Sequence, residues 1–317
     1  FRNWQSYADS TNTDWQDALL RTAMVQEYRL TVSGGTAQTK YAFSGGYLNQ
    51  DGIAVNSGYA RYTGRMNLEQ RLTDKFKLIT NISATRGKYD GLATNSSDGL
   101  ITSTLRQKPT LPYDTNSLED DTQSGEDNLI SNPYRQVKDI SRDRYRDNFI
   151  ARMVLDYTFN KKILFRLTGT YATNANKDKS FFPATTSQGF KAKGRSVVQN
   201  ANNTKFMGEA FVYYNTKFGK DHKLKLMLGA TAESYTSESL TTENQNFPSV
   251  NLGANSTQQG LYPIVPITSI VEWNMASVLG RAEYSFKDKY LLTATGRQDG
   301  SSRFGANNKW AFFPSLA

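Results

Sequence analysis

The chain contains no cysteine and a single histidine, His222. The first absence excludes disulfides and thiolate metal sites, and the second leaves no partner set for a Ser-His-Asp triad or a histidine-rich zinc centre. Long apolar runs are missing too. Hydrophobic residues fill 38% of the 317 positions and the mean hydropathy is −0.61. No stretch approaches the roughly 18 consecutive apolar residues of a transmembrane helix. Helical spans are thereby excluded, but β-spans are not, because alternating strands average out in any hydropathy window. The net charge of +9 is spread as single Lys and Arg residues along the chain, which argues against nucleic-acid binding. No Gly-rich phosphate loop or nucleophile elbow is present.

What is present is alternation. In "TFNKKILFRLTGTYA" (158–172), Ile163, Phe165, Leu167, Gly169 and Tyr171 fall on one face of an extended strand and Arg166, Thr168 and Thr170 on the other. The same pattern predicts strands near 26–33, 38–48, 58–71, 75–88, 144–159, 161–174, 203–218, 222–236, 275–287, 289–299 and 308–317. A soluble sandwich and a membrane barrel both write this pattern and bury opposite faces.

The connections separate the two. Short turns at 34–37, 73–75, 160–162, 219–221 and 287–289 alternate with longer stretches at 49–57, 89–143, 175–202, 237–274 and 300–307. In an up-and-down sheet, every second connection lies on the same side. Tight turns therefore collect at one end and long loops at the other, the layout of an outer-membrane barrel. The predicted strands, about 11–16 residues, exceed the globular mode of about 5–6. Phe76, Tyr157, Phe159, Phe218, Tyr284, Phe286 and Tyr290 gather beside the short turns, as an interfacial girdle requires. The expectation is an all-β, antiparallel, up-and-down transmembrane β-barrel with apolar faces toward lipid. Arg61, Arg65, Glu69, Arg152, Asp156, Arg166, Glu209, Lys225, Glu233, Arg281 and Glu283 are expected to face a polar lumen.

Two stretches carry a family resemblance. "NTDWQDALLRTA" (12–23) with "RLTVSGGTAQTKYAFSGGYLNQDGI" (29–53), and "GRAEYSFKDKYLLTATGRQDGSSRFGANNKWAFFPSLA" (280–317), resemble the SusC/RagA-type TonB-dependent transporters. The resemblance implies a barrel of about 22 strands blocked by a plug, of which this chain supplies about eleven. It further implies import of a large nutrient, a glycan, oligosaccharide or peptide, across the outer membrane of a Gram-negative bacterium. Energy would come from TonB in the periplasm, and a SusD-like surface lipoprotein would close the top. A surface receptor or adhesin on the same scaffold is the alternative, and enzymatic activity is not expected. Phe1 is not a methionine, "WAFFPSLA" stops within a strand-like run, and no TonB box or plug is recognisable. A piece of a longer chain is therefore expected, with residues 1–25 as a first outer-loop segment bearing a short helix and 26–317 as partial barrel.

Ligand contacts are expected on the long-loop side, from aromatic rings, with Tyr113, Tyr134 and Trp273 as candidates. "YDTNSLEDDTQSGEDN" (113–128) concentrates Asp114, Glu119, Asp120, Asp121, Glu126 and Asp127. Oxygen ligands at that density can bind calcium, but the spacing departs from the EF-hand loop; no other cofactor is expected. His222 beside a turn is expected to be exposed. Asp14 and Asp17 are assigned to a short helix, and Arg303 in "DGSSRFG" to a strand-to-loop element.

Overall fold

The computed structural model describes residues 12–92, 99–109, 119–120, 129–130, 132–251 and 253–317. A helix at Trp15–Leu19 comes first, its start capped by the Asp14 carboxylate, which accepts hydrogen bonds from the Gln16 and Asp17 amides at 2.9 and 3.0 Å. Four strands follow: β1 (Val25–Gly35), β2 (Thr39–Asp51), β3 (Gly58–Arg71) and β4 (Phe76–Asp90). A long connection carries helices Leu100–Arg106 and Pro133–Asp139 and the two-residue strands β5 (Glu119–Asp120) and β6 (Leu129–Ile130). The remaining strands are β7 (Ser141–Thr158), β8 (Ile163–Phe182), β9 (Arg195–Phe218), β10 (His222–Gln245), β11 (Tyr262–Phe286), β12 (Tyr290–Ser301) and β13 (Trp310–Leu316).

Eleven of these strands form one sheet in sequence order, β1-β2-β3-β4-β7-β8-β9-β10-β11-β12-β13, with every neighbouring pair antiparallel. This order puts the five tight turns at one end and the long loops at the other, as the alternation of connection lengths predicts. The tight turns are built by side chains as well as backbone. Asn160 accepts from the Lys162 and Ile163 amides, and Thr73 from those of Lys75 and Phe76. At the β11–β12 turn, Lys287 and Asp288 both hold positive φ, 54° and 52°, and the Lys289 amide closes on the Phe286 carbonyl at 3.1 Å. That is a type I′ turn, whose twist matches the flanking strands.

The strands of the central wall are longer than alternation indicates. β8 to β11 run 20, 24, 24 and 25 residues. The stretches 175–202 and 237–274, read as loops, therefore shrink to 183–194 and 246–261. For β8–β10 the reason is visible in the residues: "NANKDK" (174–179), "NANN" (200–203) and "SYTSESLTTENQ" (234–245) are polar on both faces, so the hydrophobic period disappears while the hydrogen-bonded ladder continues. The start of β11, "YPIVPITSIV" (262–271), is instead apolar on both faces.

Among the described residues, a small core lies off the sheet. Trp15, Leu19, Ala54, Leu100 and Val137 are buried together where the first helix meets the two helices of the long connection. The Trp15 indole N–H donates to the Lys108 carbonyl at 3.0 Å, and Gln136 donates to Ser103 at 3.1 Å.

Candidate functional site

Directly paired residues of neighbouring strands share a face, so the register assigns every side chain of the sheet to one of two surfaces. All eleven charged residues singled out from sequence fall on the same one. Arg61 and Arg65 pair through Gly87 and Ser83 to Arg146 and Ile150 of β7. Asp156 faces Arg166, and Arg152 faces Thr170. From Arg166 the row continues across Phe211 and Gly229 to Leu279, and Lys225 stands opposite Glu283.

The other surface is an apolar belt. It carries Leu30, Val32, Phe43, Met153, Phe165, Leu167, Leu226, Leu228, Val278, Leu292 and Phe312, all exposed. Two rows of rings bound it. Beside the short turns, Phe76 stacks on Tyr157 at 4.5 Å, and His222 lies between Phe218 and Phe286 at 5.2 and 4.9 Å. His222 Nδ1 is also 2.6 Å from the Tyr284 hydroxyl. The histidine is thus part of the ring row rather than a free turn residue. Toward the long loops, Tyr28, Tyr47 and Tyr62 form one run across β1–β3, and Phe149, Tyr171 and Phe206 another across β7–β9. Eight to twelve strand steps at about 3.4 Å, tilted by about 40°, separate the rows by roughly 20–30 Å, the height of a bilayer's apolar layer. No Lys, Arg, Asp or Glu occupies this surface between the rows. A charge there would be costly, and the belt is built for lipid.

The charged surface is a network of ion pairs. Arg166 grips Asp156 with two bonds, at 2.7 and 2.8 Å. Lys77 meets Glu69 at 2.9 Å, Arg152 reaches Glu209 at 3.9 Å, and Glu283 receives Arg281 at 2.8 Å and Lys225 at 3.8 Å. Glu233 pairs with Lys205 at 2.5 Å. Arg61 and Arg65 line a recess of about 260 Å³ with Glu27, Arg29, Thr63 and Thr85. Sequence reasoning missed Lys205, Arg297–Asp299 (2.5 Å) and Arg195–Glu243, a fork at 2.7 Å on both arms. The i, i+2 spacing of Arg297 and Asp299 is a signal that both share a face. Arg195 and Glu243 lay in stretches assigned to loops.

The two aromatic candidates among the described residues, Trp273 and Tyr134, do not converge. Trp273 lies on the charged surface beyond the girdle, stacked on Tyr235 at 5.2 Å, with the Arg303 guanidinium 5.1 Å over its ring. Tyr134 packs against the small loop core, with Lys138 Nζ 5.9 Å over its ring. Tyr113 and the acidic run 114–127 lie outside the described residues, apart from Glu119 and Asp120 in β5. Among the described residues, no cluster of His, Asp and Glu has the form of a metal site.

No protein-family profile matches the chain. Among curated proteins, it is 31% identical over 331 residues to TonB-dependent receptor P3 of Formosa agariphila, covering 99% of this chain and 32% of that protein. It is 26% identical over 337 residues to TonB-dependent receptor SusC of Bacteroides thetaiotaomicron, covering 97% of this chain and 32% of that one. The chain thus spans about a third of the length of these relatives. In fold it matches the RagAB peptide transporter with a TM-score of 0.78 at 22% identity, over 96% of this chain and 35% of that chain. The ferric citrate transporter FecA matches with a TM-score of 0.56 at 10% identity, over 93% of this chain and 38% of that one. With the lipid belt, the paired girdles and the one-sided turns, these similarities identify the chain as a stretch of the outer-membrane β-barrel of a TonB-dependent receptor of the SusC/RagA type.

Proposed function

We propose that the protein to which this barrel wall belongs is a TonB-driven importer of a large nutrient, a glycan or a peptide, covered at the surface by a SusD-like lipoprotein. The carrying observation is the charged surface. Its pairs mix both signs along the wall, and the cation of each keeps more than a third of its side chain in water even where the carboxylate is buried, as at Asp156, so each contributes about 0–1 kcal/mol. Facing a lumen, such groups can hold a polar plug through many exchangeable contacts, and no single contact has to break at high cost. A plug held this way stays seated and still yields to a pull from the periplasm. Work is done by binding and movement, without covalent chemistry.

The test is uptake and conductance of the full-length protein in a planar bilayer and in cells. The intact protein should pass no steady ion current, plug deletion should raise conductance, and removing TonB should stop nutrient uptake. Steady current through the intact protein without TonB would replace the importer with a passive pore. Loss of the surface lipoprotein should lower uptake of the large ligand while leaving conductance unchanged.

A further inference from the structure

Beyond the girdle, β7 carries an arginine pattern that the ion-pair wall does not explain. In "SRDRYRD" (141–147), Arg142, Arg144 and Arg146 alternate with Asp143, Tyr145 and Asp147, so the three arginines share the charged surface and the aspartates share the other. The aspartates are engaged there, Asp143 by Lys88 at 3.5 Å and Asp147 by Arg86 at 3.4 Å. On the arginine side, Asp178 is the carboxylate within reach, and Arg146 holds both of its oxygens, one at 3.0 Å. Arg142 and Arg144 form no hydrogen bond or ion pair among the described residues, and the Nε of each is shielded from solvent without a partner. Arg144 lies 5.7 Å over the Tyr89 ring, which stacks on Tyr59 at 4.3 Å. Arg142 borders a cavity of about 270 Å³ beneath the loop core, lined also by Ala54, Ser57, Leu100 and Val137.

Two half-buried guanidinium groups on one strand repel each other and leave donors unmet, an arrangement that a ligand relieves. The adjacent Arg146–Asp178 fork shows the partner this geometry takes, a carboxylate presenting two oxygens. Same-face positions on a strand recur every two residues, about 6.8 Å. An extended peptide repeats its own side chains at that period, whereas acidic groups on a glycan follow the spacing of its linkages.

We propose that Arg142 and Arg144 receive an extended acidic peptide, each guanidinium taking the carboxylate of one of two side chains spaced two residues apart. The site faces the outer approach to the barrel, so the proposal uses the importer reading for its purpose but not for its geometry.

The experiment measures binding to the purified full-length receptor by calorimetry, without TonB. The probes are a soluble peptide with Glu at alternate positions, the same peptide with Gln, and an oligogalacturonate of similar charge. The Glu peptide should bind about 10- to 100-fold more tightly than the Gln peptide, the range expected for charge-assisted bonds. Raised salt should shrink that preference. Arg142→Gln with Arg144→Gln should abolish it, and Arg142→Lys with Arg144→Lys should retain part of it. Unchanged migration of unheated samples in detergent gels controls for folding. Equal binding of both peptides by the wild type, or a preference that survives the Gln variant, overturns the site. Tighter arginine-dependent binding of the oligogalacturonate overturns the peptide assignment. A preference that emerges only after plug deletion shows that the plug occupies the arginines and also overturns it. Arginine-dependent binding combined with TonB-independent uptake removes the importer reading and leaves the site standing.

Discussion

β10 passes through two environments, and its residues record the change. Between the girdles, Leu224, Leu226, Leu228, Ala230 and Ala232 face one way and Lys223, Lys225 and Glu233 the other. From Ser234 to Gln245 the same strand, with the same backbone partners on both sides, carries Thr236 and Glu238 on one face and Ser237 and Ser239 on the other. The ladder to β9 is unbroken and that to β11 is shifted only by one bulge between Thr241 and Glu243, but the chemical contrast between faces stops at the ring row. A strand's hydrophobic period therefore reports the solvents on its two sides, and where water bathes both, hydrogen bonding alone maintains it.

The sharpest way to break this comparison is a charge on the belt. Leu226→Arg should cost roughly 2–4 kcal/mol, whereas Thr236→Arg, on the same face beyond the girdle, should cost under about 0.5 kcal/mol. Equilibrium unfolding from bilayers of the full-length protein measures both. Equal costs would place the membrane elsewhere. Next in size is a packing change inside the wall. A Cβ on Gly229 would meet Phe211 Cδ1 at 2.1 Å, so Gly229→Ala must displace the ring and should cost about 1–3 kcal/mol. Gly208, with open space around its Cβ position, should tolerate alanine far better in the same assay.

Ion pairs come lower. Asp156→Asn, between the girdles, and Glu243→Gln, beyond them, each remove one end of a two-armed arginine contact. Losses of about 1 kcal/mol or less are expected, and each should shrink as salt rises. A double-mutant cycle with Arg166 or Arg195 isolates the pairwise part. The smallest effect is at the turn. The Lys223 ammonium, bonded to both Asp288 oxygens at 2.5 and 2.6 Å, holds that carboxyl below its ordinary 3.8. A depressed folded-state value means stability that is present above the unfolded value and lost as pH falls through the folded one. The wild type should therefore lose slightly more stability than Asp288→Asn below about pH 4, and the two should run parallel above pH 5. A divergence at neutral pH would assign the aspartate some other role.

Fold class, strand order and the facing of the wall were legible because lipid on one side and charge on the other impose alternation. The turns were legible too: Asn160 and Thr73 advertise their amide contacts by residue type. The extensions of β8–β10 were not, since residues such as Asn200, Asn202 and Glu238 prefer neither face. That of β11 was hidden because Pro263, Pro266 and apolar side chains on both faces (Ile264, Val265, Ile267, Ile270) break the alternation. The loop core was equally hidden. Trp15 and Tyr134 carry rings suited to a ligand and also to burial, and in this fold they serve the small hydrophobic cluster. Arg142 and Arg144 stood in plain view at strand spacing, but their missing partners became apparent only once Asp143 and Asp147 were seen to face the opposite way.

The unequal lengths of the strands have an architectural effect. β2 and β3 have 13 and 14 residues, β10 and β11 have 24 and 25, and β12 falls back to 12. Since all begin near the same ring row, the surplus of about ten residues, on the order of 30 Å along the strand, rises on one side only. Along these eleven strands the outer edge of the wall is therefore cut on a slant, like a scoop, and the tall blade of β9–β11 stands in water well clear of the low strands that flank it.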